Sequence, residues 1–218
     1  KLKAGEAKNL LPTTIDYATG SGHFLTESMN EIQNIIQTID DTKLKPQVKS
    51  EVSVWKAKPF NWAHDYIYGI EKDYRLVKTA KVGCYLHGDG VAQVIHTDGL
   101  NNFNNTEEYR NKLKGSNKDF PQDNKKFDIV ISNPPYSVSA FKTNLKREFA
   151  EKDFELYKYL TDQSSEIECL FIERTKQLLK DGGIAGIILP SSMLSNTGIY
   201  TKTREIILKY FDIIGITE

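Results

Sequence analysis

Four consecutive residues near the middle of the chain, Asn133-Pro134-Pro135-Tyr136, combine side chains that could hold a small planar molecule. Each proline has a locked φ angle and no N–H group, and it disfavours helix in the residue before it. The corner can therefore aim the side-chain oxygen of Asn133 and the carbonyl of Pro134 at one donor, while Tyr136 offers a flat face to a ring. Two acceptors beside a stacking surface suit an aromatic primary amine. A strand exit that proline merely stiffens is the alternative.

Glycines and acidic residues at three other predicted strand ends form a second candidate site. Gly20 and Gly22 follow the first strand, where they allow a tight turn and the close approach of a ligand. The third glycine of the dinucleotide fingerprint is missing, so a pyrophosphate ligand is not favoured. Glu71 ends the second strand, where an acid can accept both hydroxyls of a ribose, and Asp98 ends the third, where an adenine amine is the candidate partner. A space-saving loop and solvated surface carboxylates are the alternatives that stay open.

The periodicity of apolar residues predicts the elements that must position these side chains. Strands are predicted at 13–17, 65–70, 91–96, 127–132, 184–189 and 211–217. Helices are predicted at about 24–38 and 74–86, from a capping box at Ser165 and Glu168 to a terminating Gly182-Gly183 pair, and at 200–210. The charged 40–64 segment is predicted to be irregular, with its aromatic residues Trp55, Phe60 and Trp62 packed against the body. Mostly apolar strands that alternate with helices indicate an α/β fold with a parallel sheet covered on both faces.

Composition limits the classes of protein that fit. The 218 residues suffice for one α/β domain with a full core, and Lys+Arg and Asp+Glu both number 29. Zero net charge argues against a strongly basic nucleic-acid binder but leaves room for a local basic channel. The two cysteines and four histidines show no metal-ligand spacing, so no metal is predicted. We find no signal peptide and no apolar run long enough to span a membrane, and the cysteine usage suggests a reducing compartment.

Five segments carry a resemblance to a known family. They are DYATGSGHFL, YGIEKD, HTDGL, SNPPY and FIERTKQLLKDGGIAGIILPSSML. Together they resemble the amino-group DNA methyltransferases that modify adenine, above all the modification subunits of type I restriction systems and the related fused restriction–methylation enzymes. The first motif of the family resembles D-P-A-C-G-S-G, from which Tyr17 and Thr19 depart while both glycines remain.

The resemblance implies a Rossmann-like S-adenosylmethionine-dependent methyltransferase fold, with strand order 3-2-1-4-5 and a displaced or loosely paired sixth strand. Residues 1–218 would form the catalytic domain, as a fragment without the upstream cofactor-covering segment, the last strand and a target-recognition domain. The implied partners are double-stranded DNA with a flipped adenine, and a specificity subunit or fused target-recognition domain. A restriction subunit is a further candidate partner, and the implied location is a prokaryotic cytoplasm.

The resemblance also assigns roles to residues. S-adenosylmethionine would contact the chain through its methionine, its ribose and its adenine. Glu71 would bind the ribose and Asp98 the adenine. The residues at the methionine end would be Asp16, Ala18, Gly20 and Gly22. The catalytic residues, which would hold an adenine flipped from the duplex, are Asn133, Pro134, Pro135 and Tyr136. An adenine amine is a poor nucleophile because its lone pair is delocalised into the ring, and two acceptors on its hydrogens would localise that pair.

Two other functions stay open. NPPY also serves protein methyltransferases that modify a glutamine amide, another planar primary amine. Those enzymes resemble NPPY followed by Ile-Pro, whereas Ser137 and Val138 follow here. The chain could also be a folded cofactor-binding core without activity of its own. Lys142, Lys146 and Arg147, after the corner, could contact phosphates or form a solvated helix face.

Overall fold

A five-stranded sheet organises the protein. The computed structural model describes residues 10–88, 93–115, 117–119 and 122–217. The strands are β1 (Thr14–Asp16), β2 (Ile67–Glu71), β3 (Gln93–His96), β4 (Phe127–Ser132) and β5 (Leu179–Ile187). They form one sheet in the order β3-β2-β1-β4-β5, and β1 pairs in parallel with β2 and β4, as β2 does with β3. The predicted order is confirmed; of the predicted third strand, residues 91 and 92 lie outside the described residues.

Eight α-helices occur in the described part of the chain, which confirms the α/β class. They are α1 (His23–Thr38), α2 (Pro46–Ala57), α3 (Ala63–Tyr66), α4 (Tyr74–Leu86), α5 (Arg147–Asp153), α6 (Ile167–Leu178), α7 (Ser192–Ser195) and α8 (Ile199–Tyr210). Short 3₁₀ helices occur at Asp41–Lys43, Glu107–Tyr109, Phe141–Asn144 and Glu155–Tyr159. The helices predicted at 24–38, 74–86 and 200–210 are confirmed.

The chain divides into two compact units. The first unit holds the described residues up to Gly99 together with β4. The second holds the described residues from Leu100 to Lys126 and from Asn133 onward. The boundary therefore falls between Ser132, the last residue of β4, and Asn133, the first residue of the proline corner.

The core of the first unit forms where α1, α2 and α4 pack with β2 and β3. On α1 the buried residues Leu25, Met29, Ile32 and Ile36 recur every three or four positions and give the helix one apolar face. The backbone of Ile39, which follows this helix, is extended and ends it.

Helix α2 corrects the prediction that the 40–64 segment is irregular. Pro46 occupies the first helical turn, where its missing N–H costs nothing. Val48, Val52 and Trp55 then fall on one face and are buried. The high charge of the other positions concealed this spacing. The predicted packing of the aromatic residues is confirmed: Trp55 and Trp62 are 6% and 2% exposed, and Phe60 is partly buried against the same core.

A buried glutamine fixes the end of that segment. The side-chain oxygen of Gln33 on α1 accepts hydrogen bonds from the backbone N–H of Phe60 at 2.9 Å and from the indole N–H of Trp62 at 2.8 Å. Because buried polar groups are costly unless paired, these bonds select one path for the chain between α2 and β2.

A buried arginine organises the second unit. The guanidinium of Arg174 on α6 lies 4.0 Å from the ring centre of Phe103 and 4.8 Å from that of Phe154. Its Nη2 donates to the carbonyl oxygens of Leu100 and Asn101 at 3.0 and 3.1 Å. Stacking and charge-assisted bonds offset part of the cost of burying the cation. Arg174 therefore anchors the segment that follows Gly99 to α6.

The predicted capping box at Ser165 and Glu168 is wrong. Glu166 precedes the first helical residue of α6, and no side chain caps it. Glu168 is fully buried instead, and its carboxylate accepts hydrogen bonds from Ser137 and Tyr200. The donors to this carboxylate are thus residues distant in sequence rather than the backbone at the start of α6. Spacing along the sequence could not indicate them.

The end of α6 and the fifth strand also differ from the predictions. The helix ends at Leu178, and β5 begins at once at Leu179, so the Gly182-Gly183 pair does not terminate the helix. The backbone N–H of Lys125 donates to the carbonyl of Gln177 at 3.0 Å, so a contact distant in sequence satisfies one carbonyl of the last turn. The strand runs over 179–187 rather than 184–189, and it is mostly exposed rather than buried.

The predicted sixth strand does not form. Residues 211–217 carry no regular structure, and Ile213, Ile214 and Ile216 are exposed. Strand geometry needs backbone partners, and none of the described strands pairs with this segment. Separately, no helix among the described residues combines the length and apolar character needed to cross a membrane.

Candidate functional site

The loop after β1 is built around a buried carboxylate. Asp16 is fully buried, and its Oδ1 accepts hydrogen bonds from the backbone N–H of Ala18 at 3.0 Å and from the hydroxyl of Ser132 at 2.6 Å. Its Oδ2 is buried without a hydrogen-bond partner among the described residues. An unpaired buried carboxylate oxygen is costly, so this atom is a candidate acceptor for a ligand N–H group.

The environment of Asp16 also changes its acidity. Burial raises the pKa of this carboxyl to about 6, while the bonds from Ser132 and Ala18 lower it and the negative charge of Glu71 raises it further. The carboxylate is therefore ionised near neutral pH, and its protonation falls within the physiological range.

Thr19 and Gly69 hold this loop against β2. The Thr19 hydroxyl donates to the carbonyl of Asp16 at 2.7 Å, and its backbone N–H donates to the carbonyl of Ile70 at 2.9 Å. A side chain at Gly69 would place its Cβ 2.6 Å from the hydroxyl oxygen of Thr19. Gly69 therefore permits the loop to approach the strand. Thr19, one of the two departures from the family motif, supplies a bond that cysteine would not make as well.

Gly20 and Glu71, both predicted to bind a cofactor, lie in contact. The N–H of Gly20 donates to Glu71 Oε2 at 2.8 Å, and the N–H of Asp73 donates to Glu71 Oε1 at 2.7 Å. Gly20 has a φ of +55°, and no atom lies within 4 Å of the position of a Cβ there. The loop thus leaves open space beside a carboxylate whose oxygens each keep further acceptor capacity.

Packing between helices explains why position 22 is a glycine. Its φ is +90°, and a Cβ would lie 2.9 Å from Cβ and 3.0 Å from Cα of Ala80. The missing side chain therefore lets the start of α1 pack against α4. The cofactor contact of Gly22 stays a prediction.

Asp98 follows β3 and forms an ion pair with the residue after β2. Its carboxylate pairs with the ammonium group of Lys72 at 2.8 Å, and its side chain is 17% exposed. The adenine contact predicted for Asp98 would have to compete with, or rearrange around, this ion pair.

The proline corner in the second unit presents its two chemically active side chains outward. Pro134 is buried, whereas Asn133, Pro135 and Tyr136 are exposed, Tyr136 by 49%. In the described part of the chain no side-chain hydrogen bond involves Asn133, so its amide oxygen is available. Ser137, which ends the corner, has a φ of +56°, and its N–H donates to Glu168 Oε2 at 3.2 Å.

Two of the three basic residues after the corner make internal contacts. Lys142 donates to the carbonyl of Leu160 at 2.7 Å, and its ammonium group lies 5.0 Å from the ring centre of Tyr157. Arg147 pairs with Glu151 at 2.7 Å on an exposed face of α5. The ion pair of Arg147 favours the solvated helix face over a phosphate contact. The Lys142 side chain is only 19% exposed, so its internal contacts disfavour a phosphate contact as well.

Sequence reasoning missed three residues of these sites. Ser132 was seen only as the last residue of a strand, although a polar residue that closes an apolar strand is a signal. Gly69 interrupts a strand pattern, which often marks a close approach of backbone. Glu168 gave no usable signal, because its spacing from Ser165 indicated a local cap.

Comparison of the sequence with known proteins identifies related proteins. Residues 65–218 match the model of the family described as Eco57I restriction-modification methylase. The chain is 30% identical over 204 residues to the type II restriction enzyme and methyltransferase RM.Eco57I of Escherichia coli, covering 82% of this chain and 20% of that protein. It is 24% identical over 195 residues to the type I restriction enzyme EcoEI methylase subunit of Escherichia coli, covering 88% of this chain and 31% of that subunit. The chain thus spans about a fifth and a third of the lengths of these two relatives.

Solved structures support the fold alone, since all are below 25% identity. A chain from a type I R-M system, solved to describe its assembly and conformational transition, has a TM-score of 0.60 at 20% identity, covering 91% of this chain and 32% of its own. A modification subunit of a type I restriction enzyme from Vibrio vulnificus YJ016 has a TM-score of 0.56 at 17% identity, with coverages of 91% and 34%. The DrdV–DNA complex has a TM-score of 0.53 at 18% identity, with coverages of 94% and 20%. Because the family model matches well over half of the residues, the chain belongs to the Eco57I restriction-modification methylase family.

Proposed function

We propose that this chain is the catalytic domain of a DNA methyltransferase that transfers a methyl group from S-adenosylmethionine to the exocyclic amine of adenine. The corner after β4 carries the proposal. The chain belongs to a restriction-modification methylase family. In its corner the side-chain amide of Asn133 is exposed and makes no hydrogen bond to the described residues, and the side chain of Tyr136 is about half exposed. This pair suits a planar ring with a primary amine.

The residues of the first unit fit S-adenosylmethionine. Asp16 offers a buried carboxylate oxygen that lacks a partner, which suits the cofactor's ammonium group, and Gly20, which donates to Glu71, has open space where a side chain would stand. We assign the methionine end to Asp16, Ala18, Gly20 and Gly22, the ribose to Glu71 and the adenine to Asp98. When bound, S-adenosylmethionine supplies an electrophilic methyl group.

The catalytic contribution of the chain is to prepare the amine. The side-chain oxygen of Asn133 and the carbonyl of Pro134 accept the two amine hydrogens and localise the nitrogen lone pair. Pro135 keeps a competing N–H donor out of the corner, and the ring of Tyr136 stacks on the flipped adenine. Fixed acceptors need no reorganisation as the amine changes shape, so oriented dipoles provide the rate enhancement.

We further propose that the full-length protein acts as the modification part of a restriction-modification system. Its DNA partner would be a duplex with a flipped adenine. A specificity subunit or a fused target-recognition domain would choose the site, and a restriction subunit is a further candidate partner. One relative is named as a restriction enzyme and methyltransferase together, and the other as a methylase subunit, which supports a role beside restriction in either a single protein or a complex. Such a protein would work in a prokaryotic cytoplasm.

The test uses the full-length protein, S-adenosylmethionine labelled in its methyl group, and unmethylated plasmid DNA. After digestion of the DNA to nucleosides, the label should appear in N6-methyladenine. Label in cytosine, or in a glutamine of an added protein extract, would refute the assignment of the substrate. Cofactor binding without transfer of label would indicate an inactive cofactor-binding core.

A further inference from the structure

A fully buried carboxylate in the second unit has no role in the function proposed above. Glu168 is the second residue of α6 and is 0% exposed. Burying an ionised carboxylate costs several kcal/mol unless hydrogen bonds and nearby positive charge compensate. Its position in the first turn of α6 provides the positive end of a helix dipole, and two donors complete its surroundings.

The first donor is the peptide that leaves the proline corner. Glu168 Oε2 accepts the N–H of Ser137 at 3.2 Å. That N–H belongs to the same peptide unit as the carbonyl of Tyr136, so the bond fixes the plane at one end of the tyrosine backbone. Ser137 has a φ of +56°, a conformation that costs about 1–2 kcal/mol for a residue with a side chain. The chain therefore adopts this turn only because something holds it.

The second donor fixes the carboxylate itself. The hydroxyl of Tyr200, on α8, donates to Glu168 Oε1 at 2.7 Å. Burial raises the pKa of Tyr200 to about 12, and the neighbouring carboxylate adds to this rise. The phenol thus stays protonated and remains a donor to Glu168 throughout the physiological range.

We propose that Glu168 is a positioning residue for the target base. By holding the Tyr136–Ser137 peptide, it aims the exposed ring of Tyr136, while the buried Pro134 fixes the other side of the corner. The inference rests on the proposed function and deepens it. A residue that only joined α6 to α8 would stabilise the fold without affecting the stacking of the base.

Two variants of similar size separate these roles. Glu168→Gln keeps an oxygen that accepts from Ser137 and can turn its NH₂ group toward the oxygen of Tyr200. Glu168→Met keeps the volume and the helix propensity but removes both acceptors. The full-length wild-type protein is first used to map the modified adenine on unmethylated plasmid DNA. In a second duplex 2-aminopurine replaces that adenine. The fluorescence of 2-aminopurine reports unstacking and restacking of the base.

We expect Glu168→Gln to stay within about threefold of the wild-type rate of single-turnover methyl transfer. Glu168→Met should fall by about 10–100-fold, as expected for a mispositioned binding surface, with an altered 2-aminopurine signal. Cofactor Kd should change by less than about twofold in both variants, because no cofactor residue is touched. Equal rates for Glu168→Met and Glu168→Gln, whether high or low, would overturn the role of Glu168 as the acceptor for the Ser137 N–H.

Tyr200→Phe provides a second test, which leaves the Glu168 side chain unchanged. It removes the donor that fixes the carboxylate, so the base-stacking signal should change and methyl transfer should fall by about threefold or more. If Glu168→Met does not fold, an unchanged Tyr200→Phe variant overturns the proposal. An active wild type with fully active variants refutes the role of Glu168 alone, whereas a wild type that modifies no adenine refutes the proposed function and this inference together.

Discussion

Asp16 has lost all contact with solvent, yet the hydroxyl of Ser132 and the N–H of Ala18 still favour its ionised form. Its pKa of about 6 exceeds the ordinary value of 3.8, so the folded chain binds a proton more readily than the unfolded chain. The free energy of unfolding should therefore fall as the pH rises from about 4 to about 6 and stay level above that.

Urea unfolding between pH 4 and 7 tests this sign. Relative to Asp16→Asn, in which this carboxyl does not titrate, the wild type should lose roughly 2 kcal/mol of unfolding free energy between pH 4 and 7. Ser132→Ala removes a bond that lowers the pKa and should move the upper end of the window to higher pH. Glu71 is the charged group facing Asp16, so the same comparison in a Glu71→Gln background should move that end down. Parallel curves for wild type and Asp16→Asn would contradict the burial argument.

Asn133 and Tyr136 should fail in different ways. In the full-length protein, Asn133→Ala removes one of two acceptors for the amine, so methyl transfer should fall by about two to three orders of magnitude while cofactor affinity stays nearly constant. Tyr136→Ala should weaken base binding by about 1–3 kcal/mol, and Tyr136→Phe, which keeps the ring, should be much milder.

Single-turnover methylation beside cofactor binding measures both effects. A wild-type rate for Asn133→Ala would make the corner a structural feature only. Equal losses for Tyr136→Phe and Tyr136→Ala would assign the effect to the hydroxyl rather than to stacking.

At the scale of the elements, two glycines of the same loop allow a matched comparison. Gly22→Ala combines a left-handed φ with a Cβ 2.9 Å from that of Ala80, whereas Gly20→Ala has a left-handed φ and open space. Gly20→Ala should cost about 1–2 kcal/mol of unfolding free energy. Gly22→Ala should cost about 1–3 kcal/mol more, because α1 must move away from α4.

Thermal or urea unfolding of both variants gives the difference. Equal losses would mean that the helices adjust without cost. Gly22→Ala with Ala80→Gly provides the control, because removal of the opposing methyl group should recover part of the extra loss.

The elements also show which signals a sequence carries. Strands β1 to β4 and helices α1, α4 and α8 were predicted within two residues, because short stretches rich in β-branched and aromatic residues mark the strands and a recurring apolar face marks the helices. The α/β class and the strand order followed from their alternation and from the family resemblance. Helix α2 was missed because Lys49, Ser50 and Glu51 separate Val48 from Val52, and the exposed Val54 adds an apolar residue outside the buried face.

The remaining errors have a common cause in long-range contacts. The bond from Lys125 to Gln177 ends α6 before the glycine pair, and Ser137 and Tyr200 take Glu168 away from a local cap. Gly20 and Glu71 were identified from strand ends, and Asp16 and Ala18 from the family resemblance, but the bond that joins Asp16 to Ser132 spans 116 positions. No local pattern records such a pair.

At the scale of the whole molecule, balanced charge predicts weak DNA binding by this chain alone. Lys+Arg and Asp+Glu both number 29, and Arg147 is paired with Glu151. The chain thus carries no net positive charge that would attract a polyanion and release its counterions. By fluorescence anisotropy at 150 mM salt, the 218-residue chain should bind a labelled duplex with a Kd weaker than about 100 µM.

The full-length protein, or its complex with a specificity subunit, should bind the same duplex much more tightly. Submicromolar binding by the chain alone would contradict this prediction and would indicate a basic channel formed by residues of the chain itself.

The uncovered segment after α8 has a consequence for the colloidal behaviour of the chain. Ile213, Ile214 and Ile216 are 53%, 86% and 61% exposed. This short β-favouring stretch contains no proline, and none of the described strands pairs with it. Net charge is zero near neutral pH, so copies in solution experience no long-range repulsion that would keep such segments apart. Light scattering from the 218-residue chain should therefore increase with concentration, and Ile214→Lys should lower it, because the substitution adds charge at the most exposed of the three positions.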